Sequence, residues 1–233
     1  MENRHGLTVQ LAYTWSHEID NVSNDLNQLS NPFDPAYDRG SGALDRRHIF
    51  NANYVYAIPF FGSSSSRLLH GILGGWEFSG VTVAQSGVPV GGNGVGLTYT
   101  GPDVLGLGGV GRNRVNQVAP VRYPHTVNAW FDKSSFANPI APWDGGPNNG
   151  FGNARKDAVV GPGLLNFNMS LFKNIDLTTH ENGPRVQLRF ESFNTFNHTQ
   201  FLGVNTSSAD PNFGKVTSTY DPRVLQLGAK FSF

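Results

Sequence analysis

The sequence predicts an all-β fold, and more narrowly a segment of an antiparallel transmembrane β-barrel. Apolar and polar residues alternate over several segments, and 28 Gly and 14 Pro indicate many turns. Alternation with a period of two places apolar side chains on one face of a strand and polar ones on the other. About ten such residues cross a bilayer when tilted. The longest apolar stretch is too short for a membrane helix, which needs about 18 or more apolar residues.

The carboxyl-terminal residues 223–233 show the strictest alternation. Small or polar residues separate five apolar ones: Leu225, Leu227, Ala229, Phe231 and Phe233. The length fits one tilted crossing of the bilayer, with an outward face toward lipid and an inward face toward water. This segment is therefore predicted to be a spanning strand that ends on an aromatic residue.

Six segments in all are predicted to span the membrane. They are residues 7–16, 50–58, 75–85, 165–171, 186–191 and 225–233. The third segment is irregular, because Trp76 and Phe78 share one face whereas Val81 and Val83 lie on the other. We therefore predict a β-bulge near Gly80.

The connections between these segments alternate between long and short. Residues 18–46, 87–163 and 197–222 are long connections, and residues 61–71 and 178–184 are short ones. With a periplasmic carboxyl terminus, every long connection falls outside the cell, which is typical of bacterial barrels. We predict that residues 87–163 form an extracellular, ligand-facing region without further membrane strands.

Charge and composition exclude several classes of function. The formal net charge is zero, and no basic run is present, so nucleic acid is not an expected partner. Cysteine is absent, which excludes disulfides and thiolate metal sites, and the histidines lack ligand spacing. The amino end lacks the layout of a signal peptide, and six strands are too few to close a barrel. We therefore expect the chain to be the final part of a longer exported protein.

Several phrases occur together in a specific order. They are Leu44-Asp-Arg-Arg-His-Ile-Phe50, Gly74-Gly-Trp-Glu-Phe-Ser-Gly80, Gln85-Ser-Gly-Val-Pro89, Trp130-Phe-Asp-Lys-Ser-Ser-Phe136, Phe151-Gly-Asn153, Gly161-Pro-Gly163, Ser170-Leu-Phe-Lys-Asn174 and Arg189-Phe-Glu-Ser-Phe-Asn-Thr-Phe-Asn-His198, followed by the terminal strand. In this order they resemble the carboxyl-terminal part of a TonB-dependent outer-membrane receptor. They are most similar to the large Oar-like members with an amino-terminal carboxypeptidase-regulatory-like domain. The sequence departs from that pattern at Lys156-Asp157 and at Asn168.

The resemblance implies a function and a set of partners. Such a receptor is a barrel of about 22 strands that imports a ligand past an amino-terminal plug. The inner-membrane TonB complex supplies the energy through a short box. Residues 1–233 are expected to be barrel only, without plug or box, and to need no cofactor and catalyse no reaction. The expected partners are outer-membrane lipid, the TonB complex, the barrel-assembly machinery, which would read Phe231 and Phe233, and a small-molecule, oligosaccharide or peptide ligand.

Four residues are candidates for contact with that ligand. Trp130 and Trp143 lie in the longest connection, where indole rings can stack on a ligand or pack within the loop. Arg189 and Glu191 lie on the same strand face as Gln187, which predicts a polar network in the barrel interior and, alternatively, a ligand path. Other aromatic residues near strand ends are expected to form the interfacial girdle. These are Trp15, Tyr54, Tyr56, Phe60 and Trp76.

Two other functions remain open. A set of five residues at the end of the first hairpin could activate water in an outer-membrane enzyme. This set comprises His17, Glu18, Asp20, Asp45 and His48. A soluble β-sandwich that binds carbohydrate could imitate the strand alternation. The glycine run that begins at Gly106 matches a dinucleotide fingerprint, but no helix follows it, so we expect a loop.

Overall fold

The computed structural model describes residues 6–23, 29–59, 71–91, 95–106, 113–178 and 183–233. The strands within these ranges are β1 (Leu7–Trp15), β2 (Ile19–Asp20), β3 (Gly40–Ser41), β4 (His48–Ala57), β5 (Trp76–Gln85), β6 (Asn116–Gln117), β7 (Phe136–Ala137), β8 (Leu164–Asp176), β9 (Arg185–Phe193), β10 (Phe201–Val204), β11 (Val216–Thr219) and β12 (Val224–Ser232). None of the helices in the described ranges is long and apolar enough to cross a membrane.

The six long strands form one antiparallel sheet in the order β1-β4-β5-β8-β9-β12. Each long strand therefore lies beside the next long strand in the chain, and all six predicted spanning strands are confirmed. The sheet stays open, because β1 and β12 form its two edges. A β-sandwich needs two facing sheets of long strands. The long strands of the described residues form a single sheet, so the β-sandwich alternative is wrong.

The strand registers separate an apolar face from a polar face. One row across the sheet is uniformly apolar or aromatic and comprises Leu227, Phe190, Leu171, Phe78 and Tyr56. The adjacent row lies on the opposite face and is mostly polar: Gln226, Glu191, Ser170, Ser79 and Val55. A barrel strand presents its apolar side to lipid and its polar side to the lumen. We call these the outward and the inward face.

The predicted bulge near Gly80 is wrong. Gly80 pairs in register with Tyr54 on one side and Met169 on the other, and no register shift occurs in β5. A β-carbon at Gly80 would lie 2.5 Å from the Tyr54 hydroxyl oxygen and 2.6 Å from its ring. The glycine therefore makes room for the tyrosine ring, which stacks on Phe78 with 5.7 Å between the ring centroids. The regular strand places Val81 and Val83 on the inward face.

Replacing Gly80 with valine should destabilise the sheet because the new side chain overlaps the Tyr54 ring. We expect a loss of about 1–3 kcal/mol in the free energy of unfolding, typical of overpacking. Urea unfolding of the lipid-inserted protein measures it. The substitution Tyr54→Ala removes the obstacle, so the double variant should lose less than the sum of the two single losses. Strict additivity would contradict this role for the glycine.

The three long connections meet at one end of the sheet, and their described residues pack together. We call this assembly the loop body. Its core is apolar and comes from the second and third connections: Val90, Leu97, Val115, Phe131, Phe136, Ala154, Val159 and Phe213. The described part of residues 87–163 contains only the two-residue strands β6 and β7, which confirms that it adds no spanning strand there. Some predictions lie outside the described residues. They concern Phe60, nearly all of the short connection 61–71, and most of the glycine run that follows Gly106.

Candidate functional site

Trp130 is a packing residue of the loop body. Its indole nitrogen donates a hydrogen bond to the Val160 carbonyl oxygen at 2.9 Å. The His125 ring lies 4.5 Å from the indole, measured between centroids, and Phe201 meets it edge-on at 6.3 Å. These contacts fix the ring in place within the loop body, and the role of Trp130 in ligand contact stays a prediction.

Trp143 projects from the loop body next to a residue that lines a cavity. It lies in the 3-10 helix Pro142–Asp144 and is 67% exposed. Its neighbour Pro142 lines a cavity of about 640 Å³, which we call the loop cavity. The remaining lining residues are Asn31, Phe33, Asp34, Tyr37, Leu105, Asn149, Phe151 and Asn153. Trp130 does not line this cavity, so the structure does not bring the two tryptophans to one site.

The loop cavity combines aromatic rings with amide groups and one carboxylate. Tyr37 and Phe151 meet edge-to-face with 5.7 Å between ring centroids. Among the described residues that line the cavity, Asp34 is the charged one. Ring faces beside a few polar groups are typical of small-ligand sites. The cavity therefore suits a neutral or weakly cationic polar molecule.

Local capping and a buried cation hold Tyr37 in the cavity wall. Asp34 accepts a hydrogen bond from the Ala36 backbone at 3.0 Å and so begins the 3-10 helix Pro35–Asp38. The Arg114 guanidinium carbon lies 3.7 Å from the centroid of the Tyr37 ring. Burial raises the pKa of Tyr37 above its ordinary value, although Arg114 partly opposes this. The hydroxyl therefore stays protonated and donates to the Gly152 carbonyl.

Behind Tyr37, a buried ion pair joins the first long connection, residues 18–46, to the second, residues 87–163. Arg114 is 1% exposed, and its Nη2 lies 3.5 Å from the Asp38 carboxylate and donates to the Tyr37 carbonyl. Asp38 also accepts the Ser30 backbone N–H at 2.7 Å. A buried charge without a partner is costly. The pair therefore holds residues 30–38 against the segment of the second long connection that contains Arg114.

Lys156 and Asp157 also hold the first long connection against the second. The buried Lys156 ammonium donates to the carboxylate and the carbonyl of Asp20. Asp157 accepts the Ser41 backbone N–H at 3.0 Å and the Arg155 side chain at 2.8 Å. Desolvation opposes ionisation of Asp157, but these hydrogen bonds outweigh it and hold the pKa of Asp157 well below its ordinary value. The departure from the receptor pattern at Lys156-Asp157 thus has a structural role in this chain.

The histidines and carboxylates at the end of the first hairpin do not converge on one point. Asp45 accepts the Glu18 backbone N–H at 3.0 Å and Arg47 Nε at 2.7 Å, and His17 lies 3.9 Å away. Desolvation raises the pKa of Asp45, but these hydrogen bonds more than offset it, so the pKa is lowered. His48 instead bonds the Tyr13 hydroxyl at 2.9 Å. Within the described ranges no three such groups are placed to hold a metal ion.

Arg189 and Glu191 lie on the inward face of β9, away from both tryptophans. Arg189 Nε donates to the Gln187 side chain at 2.7 Å, and Gln187 donates to Asn174 at 2.9 Å. Glu191 lies opposite Ser170 on one side and Gln226 on the other. The interior polar network predicted from the sequence is present, but the four ligand-contact candidates do not form one site.

The residues that line the loop cavity were not predicted from the sequence. A local signal existed in Asn31-Pro-Phe-Asp-Pro35. The Asn31 side chain accepts the Phe33 N–H at 3.0 Å, and Asp34 caps the helix that follows. Both are turn interactions typical of Asn and Asp. They fold the segment so that Phe33 remains exposed at the mouth of the cavity.

The two terminal aromatic residues lie at the free end of β12. Phe231 pairs with Val186, and Phe233 follows the strand and is 99% exposed. The two rings lie 5.7 Å apart. Within the described residues the Phe233 ring therefore packs on little besides Phe231.

Deleting Phe233 should lower the amount of protein in the outer membrane without destabilising the molecules that do insert. The exposed ring contributes little to packing, so the effect should arise during assembly. Immunoblots of membrane fractions and heat-modifiable migration measure the two quantities. Substitution of the equally peripheral Ser232 with alanine serves as the control. Normal outer-membrane levels after the deletion would contradict the role of Phe233 as an assembly signal.

The comparison with known proteins agrees with the open sheet and its two faces. A family model described as an outer membrane beta barrel domain matches residues 1–226. No curated protein and no solved structure matches the chain. The match covers nearly the whole chain and accounts for the apolar outward face, the polar inward face and the long connections at one end. This chain belongs to the outer membrane β-barrel domain family and is located in the bacterial outer membrane.

Proposed function

We propose that this domain is the carboxyl-terminal barrel portion of a ligand-gated, TonB-dependent importer. The observation that carries the proposal is the loop body. The second and third long connections share one apolar core, and the buried pairs Arg114–Asp38 and Lys156–Asp20 join the first long connection to the second. Loops that only join strands do not need such a core. A rigid surface assembly with a cavity is suited to ligand capture.

The unpaired edges of the sheet support a larger barrel. β1 and β12 each have a neighbour on one side only. In lipid, every unpaired backbone group costs several kcal/mol, so the edges need partners. We assign these partners to further strands of one closed barrel. Its lumen would continue the inward polar face that carries Arg189 and Glu191.

The proposed transport proceeds in two steps. A neutral or weakly cationic polar ligand first binds the loop cavity, where Tyr37 and Phe151 offer ring surface and Asn31 and Asn153 offer amide groups. The ligand then passes along the polar inward face of the barrel. The outer membrane has no energy source of its own. The proposal therefore assigns energy transfer to a plug and a TonB-binding segment elsewhere in the protein.

The proposal is tested by growth of the source bacterium on a panel of single nutrients. Strains lacking this gene, lacking TonB, or carrying Tyr37→Ala together with Phe151→Ala are compared with the parent. We expect the first two to lose the same nutrient, and the cavity variant to need more of it. A nutrient defect that appears without this gene but not without TonB would contradict the proposal and favour an outer-membrane enzyme.

A further inference from the structure

A groove of about 760 Å³ opens where β8 extends beyond the end of β9, and we call it the outer groove. β8 and β9 pair up to Met169 and Ser192, but β8 continues as far as Leu164. The chain leaves β9 and crosses beside this extension as residues 194–201. The lining consists of Trp130, Pro162, Gly163, Leu165, Phe167, Asn194, Phe196, Asn197, His198, Thr199, Gln200 and Phe201.

Residues of the bordering loop hydrogen-bond three backbone groups in the floor of the outer groove. The buried side chain of Gln200 accepts the Leu165 N–H at 3.0 Å and donates to the Leu165 carbonyl at 2.6 Å. The Thr195 N–H donates to the Phe167 carbonyl at 2.8 Å. A strand that loses its neighbour would otherwise expose these groups, which is costly in contact with lipid. The loop therefore replaces the missing strand and leaves an apolar floor.

The outer groove lies on the outward side of the sheet. Leu165 and Phe167 alternate in phase with Leu171, whose row forms the outward face. The intervening residues Leu164, Asn166 and Asn168 line a separate cavity on the inward side. The groove is therefore continuous with the lipid-facing surface. In bacterial barrels the long connections lie on the cell surface, which places the groove at the level of the outer leaflet.

Phe196 forms a side wall of the outer groove. It is 62% exposed and meets Phe167 edge-on, with 5.1 Å between ring centroids. Asn194 and Asn197 have left-handed φ angles of 50° and 51°, which turn the chain tightly on each side of it. The Asn194 amide also bonds the backbone of His198 in both directions, at 3.1 Å each. The aromatic residue is thus held outward at the membrane by a fixed turn.

We propose that the outer groove binds a fatty acyl chain of an outer-leaflet lipid. Its floor is apolar and its walls carry aromatic rings, and all of its polar residues lie in the bordering loop: Asn194, Asn197, His198, Thr199 and Gln200. None of the described residues that line it is a lysine or arginine, so it would recognise the acyl chain and not a phosphate group. A peptide in extended form would need a row of free backbone partners, whereas the Leu165 N–H, the Leu165 carbonyl and the Phe167 carbonyl are already hydrogen-bonded. Enclosure by Trp130, Phe196 and Phe201 distinguishes the groove from the open lipid-facing surface.

The proposal does not depend on the transport function, and retention of lipid by the purified full-length protein tests it. The protein is extracted from the outer membrane into a nonionic detergent, exchanged extensively, and examined by native mass spectrometry for bound cellular lipid. We expect one retained lipid in the parent and about ten-fold less in Phe196→Ser, as for the loss of one large apolar contact. The control Leu227→Ser lies on the open outward face and should retain lipid like the parent.

A second measurement keeps the test decisive if Phe196→Ser fails to insert. The photoreactive residue benzoyl-phenylalanine replaces Phe196 in cells, and irradiation links it to whatever fills the groove. We expect a mass increase equal to that of a lipid. A cross-link to another protein would overturn the proposal and identify a protein interface. Absence of retained lipid in the parent, or equal loss in Phe196→Ser and Leu227→Ser, would also overturn it.

Discussion

Replacing Leu227 with arginine should destabilise the inserted protein by about 2–4 kcal/mol, the cost of a cation near the bilayer midplane on the lipid face of a barrel. Leu227 lies at the middle of β12, is 81% exposed and shares its row with Phe190, so in the membrane its surroundings are lipid. Phe167→Arg should be costly for the same reason. Unfolding of the protein in liposomes by urea, monitored by migration in gels, measures the loss.

The control for this prediction is the adjacent residue. Gln226 lies on the inward face beside Glu191 of the neighbouring strand, where an arginine remains hydrated. Gln226→Arg should therefore cost much less than Leu227→Arg. Equal losses on the two faces would contradict the assignment of outward and inward faces.

Replacing Asp38 with alanine should open the loop body. The change leaves Arg114 buried without its carboxylate and removes the acceptor of the Ser30 N–H. Breaking a buried pair in this way costs about 3–5 kcal/mol. The ion pair lies in the loop body and not in the spanning sheet. We therefore expect backbone amides of residues 29–38 and 113–115 to lose protection from hydrogen exchange, and amides of the long strands to keep theirs.

A surface aspartate provides the matched control. Asp144 is exposed in the 3-10 helix beside Trp143, so Asp144→Ala should change protection by less than about 0.5 kcal/mol. The double variant Asp38→Leu with Arg114→Met removes both charges and should recover part of the lost protection. Identical exchange in Asp38→Ala and Asp144→Ala would show that the ion pair does not hold the loops.

The strands and their order could be predicted from the sequence because alternation is a local signal. Residues 7–15 and 225–233 carry it, and the order of neighbouring strands follows from the alternation of long and short connections. The interpretation of Gly80 failed because the reason for this glycine lies on the neighbouring strand, in the Tyr54 ring. Nothing within β5 itself reports that contact.

The candidate site was less predictable because its walls come from separate parts of the chain. Tyr37, Leu105 and Phe151 are brought together by the tertiary packing of the loop body and not by any local pattern. Residue type also failed to distinguish Trp130 from Trp143, since both are tryptophans in the same connection. Burial and hydrogen bonding separate them, and both depend on tertiary contacts.

Cysteine labelling on intact cells tests the membrane topology most directly. The chain contains no cysteine, so single substitutions can be followed with a maleimide too large to cross the outer membrane. Trp143→Cys lies on the exposed loop body, and Thr178→Cys lies in the short connection after β8. We predict labelling of Trp143→Cys in intact cells and of Thr178→Cys only after the outer membrane is permeabilised. Labelling of Thr178→Cys in intact cells, with Trp143→Cys shielded, would contradict the proposed orientation and the receptor function that depends on it.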